Sequence, residues 1–171
     1  MTDELERLYK STYSAVVRFL YRKVWDADRA EDLAQEVFIR AMAHQPEKPR
    51  AWVFAVAANL ARDEARAAVR RKKHLTLLST DPIPMSTPEA TADETVEADE
   101  RKAQVQEALA ALSSRDREVL LLWDAGMSYP EIAEQTGLAV GAIGTTLARA
   151  RKRLLEAYDR MDVGKQRAAH S

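Results

Sequence analysis

The chain contains no cysteine. Disulfides, thiolate metal sites, a cysteine nucleophile and thiol-based redox sensing are therefore all excluded for this polypeptide. No apolar run approaches the roughly 18 residues that a membrane span requires, and the N-terminus MTDELERLYK is acidic and amphipathic rather than a basic segment leading into an apolar core. The expectation is a soluble, unexported, cytoplasmic protein with no membrane insertion. Three histidines, His44, His74 and His170, lie scattered, and no glycine-rich loop follows a strand. No nucleophile has a base at suggestive spacing, so neither an enzyme nor a cofactor or metal site is expected.

Net charge is also nearly absent, at −1 over 171 residues, which at first argues against a polyanionic partner. The distribution reverses that reading. Between Leu75 and Glu100 there is no Lys or Arg, only Asp81, Glu89, Asp93, Glu94, Glu97, Asp99 and Glu100, so the remainder of the chain is net basic. The basic charge gathers in Arg62 to Lys73 and again in Arg149 to Arg153. Two separate basic helices suggest two contacts with a nucleic acid.

What is present is helical periodicity. Leu8, Tyr9, Tyr13, Val16, Val17, Leu20 and Val24 follow three-and-four spacing and predict an amphipathic helix from about Asp3 to Lys23. Asp28 with Glu31 reads as a capping box for a second helix, buried through Ala30, Leu33, Ala34, Val37, Phe38 and Ala41 and leaving Asp32, Gln35, Glu36 and Arg40 outside. Taken alone, such a face is usually no more than a solvated surface. The prolines of HQPEKPR end that helix, and Pro49 opens a third, running to about Lys73 and buried through Val53, Val56, Ala57, Leu60 and Ala61. Its other side gathers Trp52, Asn59, Arg62, Asp63, Arg66 and Arg70: an aromatic to stack on bases, an amide for base edges, guanidinium groups for phosphates. The competing reading places Trp52 in the core and leaves the arginines merely solvated.

A proline-rich, acidic stretch then divides the chain. The expected organisation is all-α, with two small helical domains, 1–74 and 101–161, a flexible acidic linker at 75–100 and a disordered tail at 162–171. In the second domain a helix to about Leu112 has Val105, Ala108, Leu109 and Leu112 inward. A Ser113 or Ser114 cap opens the next helix, which directs Val119, Leu120, Leu122 and Trp123 inward. Ser128 and Glu131 form a capping box with Pro130 in the first turn, and Gly137 supplies a left-handed turn. Ile143, Leu147, Ala150 and Leu154 then bury one stripe of a last helix, leaving Thr145, Ala148, Arg149 and Lys152 outside with Arg151 and Arg153 flanking. A helix-turn-helix follows from this pattern. A short antiparallel helix pair with a solvated basic face would produce the same pattern.

Three blocks in order, AEDLAQEVFIRAM, RAWVFAVAANLARDEARAAVRRKK and LSSRDREVLLLWDAGMSYPEIAEQTGLAVGAIGTTLARARKRL, together resemble the extracytoplasmic-function sigma factors of bacterial RNA polymerase. The resemblance extends from Leu8 to Tyr158. It implies that Asp32, Gln35 and Glu36 grip core RNA polymerase. The third helix would melt and read the downstream promoter DNA element through Trp52, Asn59, Arg62, Asp63, Arg66 and Arg70. The helix-turn-helix would read the upstream element through Thr145, Ala148, Arg149, Arg151, Lys152 and Arg153. It also implies restraint by an anti-sigma factor. One departure stands out: Gly144, Thr145 and Thr146 occupy positions where the family usually has Lys or Arg, Ser and Arg, and Ala139 replaces a polar cap. The alternatives are a helix-turn-helix regulator acting at operators, which would give no reason for the arginine ladder on the third helix, and a helical adaptor, which would need neither basic helix.

Overall fold

The computed structural model describes residues 3–78 and 92–170, and among them every regular element is a helix. These are α1 (Asp3–Val24), α2 (Ala27–His44), α3 (Pro49–Leu78), α4 (Ala92–Ala110), α5 (Ser114–Asp124), α6 (Tyr129–Thr136) and α7 (Val140–Ala169). The chain divides into two compact units, Met1–Pro84 and Met85–Ser171.

In the first unit α1, α2 and α3 pack on one another around Val16, Phe19, Leu20, Leu33, Val37, Phe38, Val53 and Phe54. Phe19 and Phe54 meet edge to face with ring centroids 5.8 Å apart, a geometry that adds quadrupole attraction to burial. The buried stripe of α2 is the one its spacing predicts. Its cap is not. The carboxylate of Asp26, on extended backbone, accepts the amide of Arg29 at 3.1 Å, while Trp25 breaks the chain with a φ of 60°. Asp28 stands inside the first turn, where its charge complements the helix dipole without capping it.

The stripe of α3 is centred one residue from its expected position: Phe54 and Ala58 are buried with Val53, Ala57 and Ala61, whereas Val56 and Leu60 are half-buried. The helix also runs past Lys73 to Leu78, because no proline or glycine interrupts it before Pro82. With α4 already helical from Ala92, the segment 75–100 begins in the last turn of α3 and ends inside α4, and the linker between the units is shorter than that segment. The middle of that segment, 79–91, lies outside the described residues.

The second unit packs α4, α5 and α6 against α7 around Leu109, Leu112, Val119, Leu122, Ile132, Ile143 and Leu147. Ser113 caps α5 by accepting the Asp116 amide. Trp123, expected inward, is 39% exposed and Leu121 is buried in its place, since α5 is covered on the side of Val119, Leu120 and Leu122. Helix α7 continues to Ala169, so 162–169 is helix and not a frayed tail. Gly164 weakens it by only about 1 kcal/mol and no proline stops it.

Candidate nucleic-acid and protein interfaces

Helix α2 exposes Asp32 and Gln35 and leaves Glu36 half-buried. Glu36 pairs with Arg40 at 2.9 Å, one turn on, and Asp32 lies 4.0 Å from Arg29. Beside Gln35 an open groove is lined by Leu5, Tyr9, Phe38, Ile39 and Met42, of which Tyr9, Ile39 and Met42 are exposed. The acidic and amide face therefore borders apolar surface. Periodicity could have revealed it, because Ile39 and Met42 fall off the buried stripe of α2.

Helix α3 brings its expected residues to one side. Asn59, Arg62, Asp63, Arg66 and Arg70 are exposed and Trp52 is half-buried. Trp52 is thus not a core residue, and one side of its ring system stacks on His44, with centroids 5.2 Å apart and planes 13° from parallel. Behind this face Glu64 receives Arg29 from α2 at 2.8 Å and Arg71 at 3.6 Å. The Arg29 hydrogen bond, reinforced by the charges of Arg29 and Arg71, holds the Glu64 carboxyl below its ordinary value despite partial burial. The pair ties α3 to α2 at the edge of their packed core.

In the second unit the expected cap is complete: the Ser128 hydroxyl accepts the Glu131 amide at 3.3 Å and the Glu131 carboxylate accepts the Ser128 amide at 3.0 Å. Gly137 at a φ of 77° turns the chain into α7, a conformation in which an L side chain would be strained. Ala139 begins α7 with no side-chain cap. Ile143, Leu147 and Ala150 are buried as expected, Leu154 is half-buried, and Thr146 joins the core at 6% exposure. Thr146 is therefore not a surface position open to a phosphate-binding cation. Gly144 differs, since a Cβ there would meet only the Tyr129 ring at 3.6 Å, an ordinary contact.

Thr145, Ala148, Arg149, Arg151, Lys152 and Arg153 are all exposed along α7. Two of the arginines reach back to the same buried acid on α5. Arg149 donates from Nε and Nη2 to the two oxygens of Asp116 at 3.2 and 2.8 Å, and Arg153 adds a longer contact from Nη1 at 3.4 Å. The Arg149 hydrogen bonds, then the charges of Arg149 and Arg153 and the Ser113 hydroxyl, hold the Asp116 carboxyl below its ordinary value against the opposing effect of burial. Arg151 lays its guanidinium over the Trp123 ring at 3.9 Å from the centroid, so the surface tryptophan has a cationic partner. Asp116 and Trp123 are the residues that helical spacing does not disclose, because both contacts cross between helices.

An all-α chain with a helix-turn-helix unit and a second basic helix in a separate three-helix unit defines a class of DNA-binding protein with two contact surfaces. Residues 8–71 match the family model for sigma-70 region 2, and residues 102–154 match sigma-70, region 4. The chain is 34% identical over 151 residues to the ECF RNA polymerase sigma factor SigL of Mycobacterium tuberculosis, covering 84% of this chain and 82% of that one. It is 27% identical over 165 residues to the RNA polymerase sigma factor YlaC of Bacillus subtilis, covering 89% and 90%. Among solved structures, the sigma factor RpoE in complex with the anti-sigma factor NepR from Bartonella quintana shares the fold with a TM-score of 0.64 at 24% identity, over 92% of this chain and 98% of that one. CnrH in complex with the cytosolic domain of CnrY gives 0.64 at 23%, over 91% and 88%. The chain belongs to the ECF family of RNA polymerase sigma factors.

Proposed function

We propose that this chain acts in the cytoplasm as a non-catalytic specificity subunit, binding core RNA polymerase and directing it to promoters. Residues 1–74 form the region 2 domain and 101–161 the region 4 domain, joined through 75–100. The face of exposed Asp32 and Gln35 and half-buried Glu36, bordered by the apolar groove of Tyr9, Ile39 and Met42, suits a protein partner, since interface cores favour aromatic and Met side chains. On α3, Asn59 and Asp63 read an unstacked base of the minus-ten element, Trp52 helps hold the separated strands, and Arg62, Arg66 and Arg70 follow the backbone. The α7 face of Thr145, Ala148 and Arg149 enters the major groove of the minus-thirty-five element, with Arg151, Lys152 and Arg153 near phosphates. An anti-sigma factor restrains the free subunit, as the NepR complex of the RpoE neighbour suggests.

The observation that carries this reading is the pair of basic faces, one on α3 and one on α7, each in a unit matching its own sigma region. An operator-binding regulator would use only the second. Gel filtration of the chain with core polymerase tests it: co-elution in a complex that a second sigma factor displaces is expected, and separate elution at micromolar concentrations overturns it.

A further inference from the structure

The side chain of Asp116 is 1% exposed, yet that of Arg149 on the same ion pair is 47% exposed. A guanidinium group has two edges able to make paired hydrogen bonds, one through Nε and Nη2 and one through Nη1 and Nη2. Asp116 takes the first edge entirely. The second edge is left to point away from the carboxylate, on a side chain that remains half in solvent. A paired donor edge of this kind matches O6 and N7 of guanine.

We propose that Asp116 is a positioning residue for base reading: it holds Arg149 by one guanidinium edge so that the other is presented, already oriented, to a single guanine in the upstream element. Resting on the assignment of α7 to the major groove, this goes further by naming the base and the residue that fixes the reader. An unsupported arginine loses much of its rotamer freedom on contact with a base, and the Asp116 clamp removes most of that loss in advance. The site of the acid supports the role. Asp116 lies in the first turn of α5, where the Ser113 cap and the helix dipole favour a carboxylate. Arg153, through its longer single contact, shares the charge without occupying the fork.

The test uses the full chain assembled with core RNA polymerase, binding promoter duplexes in which the upstream element is varied one base pair at a time. Asp116→Asn keeps the shape and removes the charge. Arg149→Lys keeps a cation beside Asp116, and so preserves the fold, while abolishing the second edge. Both variants are expected to reduce the preference for guanine at one and the same base pair by roughly ten-fold, to leave the other positions unchanged, and to show no further loss when combined. A uniform loss across all sequences with Asp116→Asn, with Arg149→Lys alone altering one position, makes Asp116 merely structural and overturns the inference. Unchanged preference in both variants overturns it as well. A wild-type complex with no preference anywhere in the upstream element refutes the functional assignment itself, and the inference with it.

Discussion

Arg29 donates from Nε and Nη2 to the two carboxylate oxygens of Glu64 at 2.9 and 2.8 Å, joining the first turn of α2 to the middle of α3 across 35 residues of sequence. The same arginine approaches Asp32 at 4.0 Å. One side chain thus connects the helix assigned to polymerase with the helix assigned to promoter DNA. Because the Arg29 side chain is 44% exposed, solvent screens the pair, and its contribution to stability is modest.

Glu64→Gln should destabilise the first unit by about 1 kcal/mol near neutral pH. The folded carboxyl lies below its ordinary value, with the Arg29 hydrogen bond the largest cause. Its stabilisation is complete above the ordinary glutamate range and is lost as pH falls through the lowered folded value. Urea unfolding at several pH values should therefore show the variant and wild type converging in acid. A gap that widens on acidification contradicts the assignment.

Replacing Asp32, Gln35 and Glu36 together by Ala should leave the melting temperature within a few degrees, roughly what surface changes produce, because Leu33, Val37 and Phe38 hold the helix. Competition for core polymerase should weaken by about ten-fold or more, the scale of losing a handful of interface contacts. A triple variant that competes as well as wild type removes this face from the contact.

Asn59→Ala should alter preference at one position of the downstream element while polymerase binding persists, because Asn59 is exposed and carries no packing role. Its amide can both donate to and accept from a base edge. Permanganate footprinting and run-off transcription on single-base promoter variants would measure it. An equal loss on every template indicates a structural role.

Gly144 and Thr146 separate in the structure although the sequence suggests equivalent vacancies for cations. Gly144→Lys has room beside Tyr129 and should stabilise α7 by up to about 1 kcal/mol. It should also steepen the dependence of log affinity on log salt by about 0.9 for one added phosphate contact. Thr146→Arg would force a guanidinium into the core and should destabilise the second unit by several kcal/mol, on the order expected for an unpaired buried charge. Equal tolerance of the two substitutions in thermal melts would show that α7 is rotated from its described position.

The caps that rest on local chemistry were legible in the residues. The Ser128 and Glu131 box, the Ser113 cap and the left-handed Gly137 all follow from side chains that bond within one turn. So did the core stripe of α2, whose apolar residues keep unbroken spacing. In alanine-rich α3 the apolar positions surround the helix, so periodicity alone could not choose between Phe54 and Val56, and only packing against Phe19 decides. Asp26 and Asp28 both fit a cap, and the backbone break at Trp25 selects the first. Of the site, the outward faces of α3 and α7 were readable. The engagement of Arg149 by Asp116 and the stacking of Arg151 on Trp123 were not, because each joins side chains on different helices, whose mutual placement spacing does not specify.

Whether the chain directs core polymerase to promoters is decided by promoter-selective initiation with the reconstituted enzyme. Core RNA polymerase alone, and core with the full chain, would be given a library of random duplexes, and the transcribed templates sequenced. The expected result is that the chain confers transcription on templates sharing two short elements at a fixed separation, with Asn59→Ala changing only the downstream element and Arg149→Lys only the upstream one. Binding of the chain to a single site on DNA, with no transcription on adding core polymerase, would instead make it an operator-binding regulator.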